Sequence, residues 1–299
     1  MEYVEPEVLE DEVFFQDVLG SCETPHNTNE NRNTNLRLLC EKLNGVVINP
    51  GETFSYNETL GERTSEKGYK PAPAYSGLET VEVVGGGVCQ GSSTLYYCTL
   101  LADLEIVERV NHGFVASYID YGMDATVSWG STDFKFRNNT NFPIKIQAEY
   151  TDTHVKMKLL GTDEKDYYVE MEYKITAIYE PTTTYQTYPA SAPEGHYNGE
   201  ELKSGKTGYF VKTYKLKYDK ETKELISRDF EANSSYLTVN RVVVKIVDDT
   251  PETTAPPETT SPAPPATEAP PATEAPPATE APPATEAPAP PDSEGGGEG

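Results

Sequence analysis

The chain has 299 residues, 24 of them Lys or Arg against 49 Asp or Glu, and 36% are hydrophobic. That length accommodates one or two domains with tails, and a net charge of −25 without a basic cluster argues against nucleic acid as a partner. No apolar run reaches the ~18 residues that a membrane helix needs, so no transmembrane segment is expected in this chain.

The acidity sits at the two ends. Residues 1–17 carry seven acids and residues 248–299 carry eleven, both without Lys or Arg. The 31 acids and 24 bases between them give an ordinary, mildly acidic globular composition. Met1-Glu2-Tyr3-Val4-Glu5-Pro6 has neither the basic start nor the apolar core of a signal peptide. The expectation is an extracellular or cell-surface protein whose leader is absent from this chain. Cysteines stand at 22, 40, 89 and 98 with no C-x-x-C pair, so the usual zinc and redox motifs are missing. No metal or cofactor is predicted. A Cys22–Cys40 bridge is left open.

In chain order, residues 1–29 read as an acidic, partly ordered lead-in. A helix is predicted from Asn33-Thr34-Asn35, with Leu36, Leu39, Cys40 and Leu43 on one face and Asn44-Gly45 as its stop. Short strands follow at 46–48 and 53–56, then a polar loop over 57–72. The alternating stretch 78–84 reads as a strand that runs into Gly85-Gly86-Gly87-Val88-Cys89. A helix is predicted from Ser92 to about Asp103, with the hydroxyls of Ser92, Ser93 and Thr94 as starting residues. Strands at 106–110, 114–119, 124–129, 132–137, 142–150 and 154–160 then form an antiparallel meander. Beyond Gly161 the pattern is all-β, with strands at 167–180, 209–218, 224–230 and 236–247 and a loop over 181–199. In residues 248–299 the hexamer Pro264-Pro265-Ala266-Thr267-Glu268-Ala269 occurs four times. Such a segment buries too little to fold and reads as a disordered, extended spacer.

The stretch Gly85–Tyr96 holds the candidate chemistry. A cysteine at a helix N-terminus meets exposed N–H groups and the positive end of the dipole, which favour a thiolate. Glycines let a ligand approach the backbone. The competing reading is a glycine turn followed by a small packed thiol. Cys40 and Cys98 lie on apolar helix faces and read as core.

Several motifs occur in the order seen in VanW-domain proteins: Asn49-Pro50-Gly51-Glu52-Thr53-Phe54-Ser55, Gly68-Tyr69-Lys70-Pro71-Ala72-Pro73, Gly85-Gly86-Gly87-Val88-Cys89-Gln90, Ile106-Val107-Glu108-Arg109, His112 and Asp124-Ala125-Thr126-Val127. Residues 30–161 therefore resemble a VanW-like domain. Residues 162–247 resemble a G5-like all-β domain through Ser204-Gly205-Lys206-Thr207-Gly208-Tyr209. The fold class expected is α+β: an N-terminal helix and a Cys-bearing helix packed on a largely antiparallel sheet, in a papain- or transglutaminase-like arrangement, then the small all-β domain and the Pro-rich tail. The resemblance implies a Gram-positive surface protein concerned with peptidoglycan. It also implies two alternatives: an L,D-transpeptidase-like enzyme, or a non-catalytic binder of peptidoglycan or amino sugars associated with glycopeptide resistance.

On the enzyme reading, Cys89 is the nucleophile on a stem peptide, His112 the proton carrier and Asp124 its orienting acid. Gly86, Gly87, Gln90 and Ser92 are the candidates for oxyanion binding and substrate positioning. On the alternative reading His112 is a structural loop histidine and Asp124 caps a turn. Stem peptides and glycan are the expected partners, with no nucleic acid.

Overall fold

The computed structural model describes residues 13–26, 29–76, 79–191 and 193–248, which belong to one compact unit. The repeat tail lies outside the described residues. Strand β1 (Asp17–Pro25) opens the order and is followed by helix α1 (Glu30–Leu43). Next come β2 (Val47–Ile48), β3 (Thr53–Ser55) and helix α2 (Tyr56–Leu60). The hairpin β4 (Pro71–Ser76) and β5 (Glu79–Val84) leads to helix α3 (Val88–Leu101), then β6 (Glu105–Glu108) and β7 (Lys135–Arg137). Strands β8 (Ile144–Tyr150) and β9 (His154–Gly161) complete the first half.

A four-stranded antiparallel sheet runs β1-β9-β8-β2. Helices α1 and α3 lie on one face of it. Leu36, Leu39 and Leu43 of α1 and Leu95 and Cys98 of α3 are buried there with Ile144, Ile146, Val155, Met157 and Leu159. The alternation along β8 and β9 sends these residues inward and Lys145, Gln147 and Lys158 outward, as period two requires. A second small sheet runs β3-β7-β6.

Several expectations change. Residues 17–25 are an edge strand of the main sheet, although the stretch reads as lead-in: Cys22 pairs with Met157 and Thr24 with Val155. Helix α1 starts earlier than its apolar pattern, because the Asn29 side chain accepts the Arg32 N–H at 2.9 Å. The polar loop over 57–72 contains α2, capped by Ser55, and the start of β4. Residues 114–119 and 124–129 form no regular strand. Ala125 and Val127 bond to side chains of α3, and Thr126 N–H to Val110 O, instead of to a ladder.

The remaining strands are β10 (Tyr167–Tyr179), β11 (Thr183–Pro189), β12 (Glu201–Lys203), β13 (Gly208–Asp219), β14 (Leu225–Tyr236) and β15 (Arg241–Val247). They make two three-stranded sheets, β10-β13-β14 and β11-β15-β12. The stretch 181–199 reads as a loop from its Pro, Thr and Ser content, yet β11 lies within it, parallel to β15.

Candidate functional site

Helix α3 begins at Val88, not at Ser92, so Cys89 lies inside its first turn. The reason is local. Gly87 is the N-cap, with φ 105, a left-handed conformation that glycine adopts at low cost. The hydroxyls read as caps turn back along the helix: Ser92 and Ser93 donate to Cys89 O at 3.1 and 2.7 Å, and Thr94 donates to Gln90 O at 2.7 Å.

The segment after Gly122 is drawn onto that first turn. Ser92 Oγ donates to Ala125 O at 2.7 Å, and Ala125 N–H donates to Ser93 Oγ at 3.1 Å. Val127 N–H donates to Cys89 Sγ at 3.4 Å, and Thr126 Oγ1 lies 3.7 Å from the sulfur. Thr126 N–H reaches back to Val110 O at 2.8 Å. These bonds bring the end of β6 and the Asp124 segment together over the helix N-terminus.

Three residues far apart in sequence therefore meet. His112 lies near enough to the Cys89 thiol for each to shift the other's proton affinity. On its other side His112 Nδ1 lies 2.6 Å from Asp124 Oδ2, and its backbone N–H donates to the same oxygen at 2.6 Å. A carboxylate only accepts, so Nδ1 carries a proton and Nε2 is left for the sulfur. Both His112 and Asp124 are buried, and Cys89 is half-buried.

The electrostatics follow from this contact. Burial alone would raise the Cys89 thiol, but the His112 hydrogen bond and charge, with the Val127 N–H and Thr126, bring it down to about 7. Burial alone would lower His112, but Asp124 and Cys89 raise it to about 9. Asp124 is held below the usual carboxylate range, because its bonds to His112 and the nearby Arg109 outweigh burial. The other thiols move the opposite way: burial pushes Cys22 and Cys40 up to about 12, and Cys98 well above its ordinary value. All four cysteines are free thiols.

Residues 31–160 match the family described as VanW like protein. The chain carries a VanW-like domain. Over 138 residues it is 45% identical to "Uncharacterized protein YoaR" of Bacillus subtilis (strain 168), covering 46% of each chain. Over 151 residues it is 33% identical to "Vancomycin B-type resistance protein VanW" of Enterococcus faecalis (strain ATCC 700802 / V583), covering 49% of this chain and 54% of that one. The matches thus span about half the length of these curated relatives. Two solved structures are also similar. One is the G5 domain of an IgA1 protease, 17% identical with TM-score 0.20, covering 29% of this chain and 99% of that one. The other is HP0197-G5, 13% identical with TM-score 0.15, covering 27% and 99%.

Within the VanW-like domain, the remaining predicted residues frame the site from behind. Gly86 is buried against β4, where a Cβ would sit 2.2 Å from Ala72 O. Gly87 faces the Arg32 side chain. Gln90 corrects an expectation. Its amide donates to Thr24 Oγ1 and Pro25 O at 3.0 and 2.9 Å, and its Oε1 accepts from Arg32 at 3.0 Å. A side chain so occupied ties α3 to β1 and α1, and has no donor left for an oxyanion. Ser92, fully buried, is occupied in the same way. The backbone offers a replacement. Val88 and Gln90 N–H groups are taken by Gly85 O and Gly87 O, whereas the Cys89 N–H has no acceptor among the described residues.

Two contributors escaped the sequence reading. Arg109 donates through Nε to Asp124 O at 2.7 Å and through Nη2 to Gly122 O at 3.0 Å, with its guanidinium over the Tyr96 ring. Its place three residues before His112, at a strand end, was the available signal. Tyr236 donates to Asp124 Oδ1 at 2.6 Å from the far end of the chain, and no local pattern marks it.

Proposed function

We propose that this protein is a cysteine acyl-transferase acting on peptide carbonyls of the cell wall, with Cys89, His112 and Asp124 as its catalytic residues. The observation that carries it is that His112, held at 2.6 Å by the Asp124 carboxylate, lies beside Cys89 at the start of α3 and draws its thiol down. A buried thiol without a task does not require a proton-carrying partner that is itself oriented by an acid.

Cys89 Sγ attacks the peptide carbonyl carbon, and a C–S bond forms. The oxyanion that develops is met by the Cys89 N–H at the positive end of the helix. The imidazolium of His112 gives its proton to the departing amine as the C–N bond breaks, leaving a thioester on Cys89. An acceptor amine then attacks that carbonyl, His112 takes its proton, and the C–S bond breaks to release the product and restore the Cys89 thiolate beside the imidazolium. An amine acceptor gives a cross-link of L,D-transpeptidase type; water gives a trimmed peptide. Asp124 keeps the ring in the tautomer that both steps need and balances the imidazolium. The arrangement of nucleophile at a helix start with His and Asp on following segments is of the papain and transglutaminase kind.

Similarity to the Enterococcus vancomycin resistance protein supports the cell wall as the place of action, and a stem peptide is the substrate class proposed. The G5-like character of residues 162–247 supports a role in holding the protein near glycan, and the repeat tail suits a surface spacer. The test is a thioester trap. Incubation with a synthetic stem peptide, acid quenching and intact-mass measurement are expected to show one acyl adduct on the wild type and none on Cys89→Ala. A wild type that never acquires the adduct, with binding to wall retained, favours the non-catalytic reading.

A further inference from the structure

Resting on the catalytic reading above, we propose that Tyr236 is a positioning residue of the Cys89–His112–Asp124 site, so that strand β14 completes the centre which the VanW-like domain begins. The Tyr236 hydroxyl accepts the Gly122 N–H at 2.7 Å and lies 2.6 Å from Asp124 Oδ1. One lone-pair contact is thus spent on Gly122, and the proton points at the carboxylate. Tyr236 and Asp124 are both almost fully buried, which makes the bond short and protected from water.

The contact belongs to a row. Arg109 Nη1 donates to Ser234 Oγ at 2.9 Å, Asn111 Nδ2 donates to Ser235 O at 2.8 Å, and Leu237 N–H donates to Gly113 O at 2.7 Å. Ser234, Ser235 and Tyr236 at the end of β14, with Leu237 just beyond it, therefore grip the residues on either side of His112 and Asp124. A second grip lies at the other end of α3, where Asp103 meets Lys215 at 3.3 Å, Lys217 at 2.7 Å and the Tyr167 hydroxyl at 2.7 Å. The helix that carries Cys89 and the loop that carries its partners are thus both fixed by strands of β10–β15.

Without the hydroxyl, Oδ1 keeps only the Arg109 contact at 3.4 Å. The carboxylate is then free to turn, Oδ2 leaves Nδ1, and the imidazolium that stabilises the thiolate loses its anchor. The other groups facing the cluster are Arg109 and Tyr96 at Asp124, and Tyr56, Tyr118 and Arg32 toward Cys89 and its turn. Burial raises all of these tyrosines above their ordinary range, so Cys89, at about 7, and His112, at about 9, lose their protons before any of them as pH rises.

The experiment measures the pH profile of iodoacetamide labelling at Cys89 in the full chain, with peptide mapping, for wild type, Tyr236→Phe, His112→Ala and Val244→Ala. Wild type is expected to show an inflection near pH 7. Tyr236→Phe is expected to move it upward by about one pH unit, roughly a tenfold loss of thiolate at pH 7. Val244, buried in β15, reports destabilisation of the β strands with the hydroxyl kept; its variant is expected to melt earlier and to keep the wild-type inflection. If Tyr236→Phe superimposes on wild type while His112→Ala moves, the Tyr236 proposal is lost and the catalytic site stands. If Val244→Ala moves the inflection as far as Tyr236→Phe, the hydroxyl has no specific role and the proposal is again lost. If wild type and His112→Ala coincide, the failure lies in the catalytic reading itself.

Discussion

Asp124 presents a single oxygen, Oδ2, to both the backbone N–H and the Nδ1 of His112, each at 2.6 Å. One carboxylate oxygen thereby fixes the loop and the ring together. The imidazole has neither a tautomer nor a tilt to choose, and the sulfur at its other nitrogen meets a proton carrier already in place.

This relationship sets a pH window. The Cys89 thiol is lowered to about 7, so the thiolate forms as pH rises through that value. His112 is raised to about 9, so the imidazolium is lost as pH rises through that value. The ion pair is dominant between the two, and the apparent values belong to the pair. Acyl transfer is expected to follow a bell with limbs near 7 and 9, read from initial rates on a stem-peptide substrate. A rate that keeps climbing through pH 10 contradicts a role for the imidazolium.

The same shifts predict selectivity. At pH 7.5 a limiting amount of alkylating reagent is expected to mark Cys89 before Cys22, Cys40 or Cys98, whose thiols are raised by burial. Peptide mapping after partial labelling reads the order. Equal labelling of Cys22 and Cys89 would remove the thiolate from the account.

Asp124→Asn keeps the shape of the side chain and removes its charge. It is expected to lower turnover on the order of 10³–10⁴-fold, with a smaller change in KM, because the ring loses its tautomer and its counter-charge. Stability falls as well, since the amide keeps one acceptor oxygen, and its NH2 must face either the Tyr236 and Arg109 donors or the His112 N–H. Steady-state kinetics on folded protein, confirmed by circular dichroism, separate the two effects.

Gln90 tests the distinction between framework and chemistry. Gln90→Ala is expected to destabilise by about 1–3 kcal/mol, because buried groups of β1 lose their partner. Activity per folded molecule is expected to stay within a few fold. A loss of ~10²–10³ in turnover with an unchanged melting temperature would make Gln90 an oxyanion donor after all.

Gly86→Ala forces a Cβ to 2.2 Å from Ala72 O, a backbone atom that cannot swing away. The hairpin β4–β5 must shift, at a cost of about 1–3 kcal/mol. Thermal melting is expected to show the loss, and an unchanged midpoint would mean that the turn relaxes freely.

Much of the frame is legible in the sequence. The 3.6-residue period of Leu36, Leu39 and Leu43 marks α1, and alternation marks β8 and β9, because each buries one face. The glycine turn before Cys89 and the candidates His112 and Asp124 are readable from residue type and order. What escapes has physical causes. β1 is short of apolar residues because it lies at a sheet edge, so its composition reads as lead-in. The start of α3 is misplaced because its hydroxyls bond to the preceding turn, and capping and back-bonding look alike in a sequence. Residues 124–127 alternate as a strand does, yet Ala125 and Val127 bond side chains of α3, Thr126 bonds Val110 O, and Asp124 bonds His112, Arg109 and Tyr236. Tyr236 is beyond any local signal, since its partner lies 112 residues away.

The most direct test of the central claim is the product profile on the wall itself. Purified peptidoglycan is incubated with wild type or Cys89→Ala, digested to muropeptides and resolved by liquid chromatography with mass detection. The account predicts new cross-linked or trimmed muropeptides with wild type and an unchanged profile with Cys89→Ala. Identical profiles from the two proteins, at concentrations where both bind the wall, would contradict it.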